Sequence, residues 1–167
     1  MFKRLTFVAL VAGSISPAQA ATWNGFKTAY TDSFLVFFDA ETVSRQGDIV
    51  TVWLKYVNNP DKPDAGGAYS SAVKEKYFCS TRTSQVFVTA TFDKNGAPIM
   101  TTSTPSATVD VIPGTIGETM FKIICSPGFP NDTSETLYGP VAKNDPVGFT
   151  LGFFQYAKSL AAQPASK

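Results

Sequence analysis

The ten residues DIVTVWLKYV, from Asp48 to Val57, alternate with a period of two. Val50, Val52, Leu54 and Tyr56 fall on one face, and Thr51, Trp53 and Lys55 on the other. A helix would recur every three to four residues, so this run is a strand with one face in a core. Its neighbours are of the same kind. WNGFKTAY and DSFLVFFD precede it, joined to it by the polar connection DAETVSRQGD, and QVFVTATF follows. Between them KEKYFCSTRT also reads as a strand. Val73, Glu75, Tyr77 and Cys79 share its inward face, and Lys74, Lys76, Ser80 and Arg82 share the outward one. NNPDKPDAGGA is a loop by composition. Asn95-Gly96 predicts a hairpin whose two central residues both take positive φ. PIMTTSTPSATVDVI reads as a weaker edge segment broken by Pro105. Strands in series with short turns form an antiparallel sheet.

The period then changes. In PGTIGETMFKIIC, Ile116, Met120, Ile123 and Ile124 recur at helical spacing, with Thr115 placed to cap the start and Pro127-Gly128 to end it. In the tail, Asp145-Pro146 reads as a helix start and Val147 to Leu160 as its continuation, although GFTLGFF alone would also serve as a strand. The fold class expected is therefore α+β.

At the other end, MFKR, an apolar run too short to span a bilayer, and PAQA together read as a secretory leader over residues 1–20, cut between Ala20 and Ala21. No cysteine follows the apolar run, so the exported chain is expected to carry no lipid anchor. It is placed in the periplasm, at the cell surface or in the medium. No later segment is long and apolar enough to cross a membrane. Without Lys3 and Arg4 the chain keeps 12 basic against 13 acidic residues, which argues against a nucleic-acid partner.

The sequence contains no histidine. Ser-His-Asp and Cys-His catalysis are thereby excluded, and the commonest zinc ligand is missing. No cofactor or metal is expected. The two cysteines lack metal-site spacing, and Lys74, Lys76 and Arg82 point away from Cys79 on the opposite strand face. An exported chain with one cysteine on an inward strand face and one at a helix end is read as holding a disulfide, Cys79 to Cys125, rather than two free thiols.

Several stretches taken in order resemble a known family. Trp23 is followed by FFDAETVSRQGDIVTVWLKY, then YSSAVKEKYFCSTRT, FDKNG and VIPGTIGETMFKIIC. Together they resemble the surface-adhesin protein E family of exported bacterial domains over about residues 21–126. The resemblance implies one antiparallel sheet of about six strands with a helix held on its concave face by the disulfide. It also implies binding of host or matrix proteins and the capacity to form a homodimer. Residues 127–167 form a C-terminal extension beyond it.

The candidate ligand-binding residues are Lys74, Lys76 and Arg82, joined by Lys55 and Trp53, as a basic and aromatic outward sheet face suited to acidic partners. The competing account is that these cations only keep the sheet solvated. A carboxylate-pair enzyme would have to use Asp39 and Glu41, Asp61 and Asp64, or Asp132 and Glu135, all in polar turns, and no catalytic residue is assigned. The alternative reading is a periplasmic accessory protein that binds a protein or a small apolar ligand through Phe149, Phe153, Phe154 and Tyr156. The competing account, the one favoured for these rings, is that they pack on the sheet and complete the core.

Overall fold

In a computed structural model, residues 21–64, 66–131, 136–140 and 144–162 are described. The leader read over residues 1–20 lies outside them. The strands are β1 (Trp23–Tyr30), β2 (Phe34–Asp39), β3 (Ser44–Gln46), β4 (Ile49–Asn58), β5 (Ser70–Phe78), β6 (Thr83–Phe92), β7 (Pro98–Thr102), β8 (Val109–Asp110) and β9 (Thr136–Pro140). The helices are α1 (Ile116–Ile124) and α2 (Pro146–Ala161).

The nine described strands form one sheet, in the order β7-β6-β5-β4-β2-β1-β9, with β3 on β4 and β8 on β6. Every pairing is antiparallel. The sheet is thus larger than the expected six or so strands. β3 and β8 are short and fully exposed, so neither carries the apolar alternation that reveals a strand. β3 lies inside the stretch read as a polar connection, and Gly47 (φ 63°) turns it back onto β4. The Asn95-Gly96 hairpin is present, but only Gly96 takes positive φ (79°). Asp93 holds the turn instead, its Oδ1 accepting from the amides of Asn95 and Ala97 at 2.8 Å each.

Helix α1 begins where the sequence placed it. Thr115 Oγ1 accepts from the Glu118 amide at 3.2 Å, and Met120, Phe121, Ile123 and Ile124 are buried. They meet Phe26, Val36, Phe38, Val50, Val52, Leu54 and Tyr77 in the main core. Two ties hold the far end of α1. The Cys79–Cys125 disulfide is one, and the other is Arg45 of β3, which donates to the carbonyls of Ile124 (3.0 Å) and Ser126 (2.8 Å). A cation on the last carbonyls of a helix also complements its dipole.

The extension returns to the sheet twice. β9 pairs with β1, and α2 packs on the face opposite α1. Phe154 joins Leu35, Phe37 and Val57 in a second cluster, and the Phe149 ring meets Phe37 edge-on at 6.0 Å. Asp145 caps α2 by accepting from the Gly148 amide. A side chain at Gly148 would collide with that carboxylate. Helix, not strand, is the outcome for Val147 to Leu160.

Candidate binding surface

On the α2 side of the sheet, the part formed by β4, β5 and β6 holds a groove of about 520 Å³. Lys74 and Lys76 of β5 line it, with Thr51 of β4, Ser44 and Gln46 of β3, and Phe87 and Val88 of β6. No residue of α1 or α2 is among the described lining.

A β-bulge creates the apolar side of the groove. Lys74 pairs with Val88, but the next residue, Glu75, pairs with Val86, leaving Phe87 as an extra residue in β6. A bulge turns the extra side chain toward the face of its neighbour, so Phe87 and Val88 both line the groove. The Lys76 ammonium stands 4.5 Å from the centroid of the Phe87 ring, a cation–π distance. Trp53 is the cross-strand partner of Lys74 and lies half-buried on the same sheet face.

The five candidate residues do not form one patch. Lys55 lies further along β4, its ammonium 5.3 Å from the Phe92 ring and 5.9 Å from the Trp23 ring. Burial lowers its pKa, and the Asp145 carboxylate partly counteracts this. Arg82 leaves the group altogether. β5 ends at Phe78, and the turn that follows places Arg82 at positive φ (56°). Its guanidinium lies 5.5 Å from the Phe121 ring of α1 and bonds Glu118, on the other side of the sheet. The period-two count that grouped Arg82 with Lys74 and Lys76 ran past the end of the strand. Phe87 was missed for a similar reason, since a bulge is a matter of register between strands that one strand's pattern does not show.

Of the carboxylates considered for catalysis, Asp39 and Asp64 organise backbone, while Glu41 accepts from the Thr22 hydroxyl and Asp61 pairs with Lys158. Asp39 accepts from the amides of Thr22 and Glu41, and burial raises its pKa against those bonds. Asp64 accepts from the amides of Gly66 and Ala68. Asp132 and Glu135 lie outside the described residues. Among the described residues, no three of the Asp, Glu and Cys side chains are grouped to hold a metal ion.

The family model for surface-adhesin protein E matches residues 23–126. The chain belongs to the surface-adhesin protein E family. The matched surface-adhesin protein E segment runs from the first residue of β1 to just past Cys125, so it includes both cysteines, α1 and the whole groove. β9 and α2 lie beyond it. No curated protein and no solved structure matches the chain. No described helix is long and apolar enough to cross a membrane.

Proposed function

We propose that this chain is an exported, non-enzymatic binding protein of adhesin type, which recognises acidic segments of host or matrix proteins, or acidic polymers, through the Lys74–Lys76 groove. The observation that carries the proposal is the groove itself. It combines two ammonium groups and an aromatic ring in a part of the sheet face where neither helix is among the described lining. Paired cations beside an apolar surface suit a chain that bears carboxylates or sulfates on a partly apolar backbone. Membership of the family supports the reading, as does the leader-like sequence of residues 1–20 with its cut between Ala20 and Ala21. The binding domain is residues 21–126, and within the extension of residues 127–167 β9 and α2 brace it from outside the groove.

Of the tail aromatics that motivated a small apolar ligand, Phe154 is buried and Phe149 packs against Phe37, while Tyr156 is exposed. That leaves the lysine groove as the better supported site.

Protease treatment of intact cells, with a known periplasmic protein as control, tests the placement. Digestion while the control survives is expected of an adhesin. Protection until the outer membrane is opened would redirect the search to periplasmic partners. Sedimentation of the purified protein tests the homodimer that the family resemblance implies.

A further inference from the structure

The α1 side of the sheet carries a second recess, of about 350 Å³, beside the first turn of the helix. Phe34, Tyr56 and Tyr77 line it from the sheet, and Ile116 and Met120 from α1. Phe34 and Tyr56 meet edge to face at 5.9 Å. Two carboxylates, Glu75 and Asp110, are in the lining, with no lysine or arginine among its described residues.

Glu75 is only 9% exposed. The Tyr77 hydroxyl donates to its Oε2 at 2.9 Å, and the Ser84 hydroxyl also donates to the carboxylate. A carboxylate has about four acceptor positions, so these two donors leave room for another. Burial pushes the Glu75 pKa up, and the Ser84 and Tyr77 bonds act against it. An ionised carboxylate in such surroundings is stabilised by a cation, and the recess that holds it is lined by the aromatic residues Phe34, Tyr56 and Tyr77.

We propose that this recess binds a small organic ammonium, whose cationic head sits against Glu75 and whose hydrocarbon part lies against Phe34, Tyr56 and Met120. The inference goes beyond the lysine groove, which lies on the opposite face and selects the opposite charge.

Benzylammonium and its neutral isostere benzyl alcohol serve as probes, read by methyl NMR of the protein labelled at methionine. Met120 lines the recess, whereas Met100 is 53% exposed on the edge strand β7 and serves as internal reference. Benzylammonium is expected to move the Met120 methyl saturably without moving Met100, and benzyl alcohol to bind about tenfold more weakly or worse. Glu75→Gln keeps an oxygen for the Tyr77 hydroxyl and is expected to lose the same factor. Should that variant fail to fold, Asp110→Asn, at an exposed position, is expected to weaken benzylammonium about two- to threefold at low salt. Equal binding of the two probes, undiminished binding by Glu75→Gln, or a silent Met120 would each overturn the proposal. So would undiminished binding by Asp110→Asn where it stands in for an unfolded Glu75→Gln.

Discussion

Arg82, in the turn after β5, donates through Nη2 to Glu118 Oε1 in the first turn of α1 at 2.9 Å. Glu118 also accepts from the Gly114 amide at 2.9 Å and pairs with Lys122 at 3.3 Å. One carboxylate thus links the β5–β6 turn, the entry to α1 and the helix itself. An arginine that by sequence belonged to a binding face holds the helix in place.

That arrangement has a pH signature. The Gly114 amide, then Arg82 and Lys122, pull the Glu118 pKa from 4.5 down to about 2. Between those values the unfolded chain binds more protons than the folded one. The stability from Glu118 is therefore full above pH 4.5 and is lost as the pH falls toward 2. Glu75 and Asp39, raised by burial, contribute with the opposite sign, losing stability as the pH rises through their folded pKa values. Melting curves from about pH 5 to about pH 2.5 should show a smaller fall in Tm for Glu118→Gln than for the parent. Identical falls would mean that the Arg82–Glu118 link does not hold in solution.

The disulfide closes a loop with a sequence separation of 46, for which the chain-entropy estimate is about 4 kcal/mol. The double variant Cys79→Ser, Cys125→Ser should lose about 2–4 kcal/mol in urea unfolding. It should still fold, because Arg45 continues to hold the carbonyls of Ile124 and Ser126. An unchanged urea midpoint would contradict the disulfide's role as the tether of α1.

The extension is expected to be part of the folded core. Phe154 is 6% exposed and Tyr156 on the same helix is 65% exposed. Phe154→Ala should cost about 3 kcal/mol, and Tyr156→Ala no more than about 0.5 kcal/mol. Similar small losses for both would mean that α2 does not contribute its buried face to stability.

Legibility in the sequence followed apolar periodicity. β4 and α1 were readable because each buries one regular face, and Asp145-Pro146 marked the start of α2. Glu75 could be placed inward by counting alone, whereas its bonds to Tyr77 and Ser84 depend on folding around it. β3 was hidden because Ser44, Arg45 and Gln46 bury nothing, and it exists through its hairpin with β4. Within the groove, Lys74 and Lys76 were found by alternation. Phe87 depends on a register shift with β5, and Lys55 and Arg82 were drawn away by rings and a carboxylate that only the fold brings near.

The central claim is that Lys74 and Lys76 form an anion-selective binding face. Binding of the protein to an immobilised sulfated polysaccharide and to matrix proteins, compared with the double variant Lys74→Glu, Lys76→Glu, tests it most directly. The expected result is a loss of about tenfold or more in affinity, with parental binding weakening as salt is raised and Tm little changed. Binding by the variant equal to that of the parent, at every salt concentration, would contradict the claim and leave the two lysines as solvation for an open sheet face.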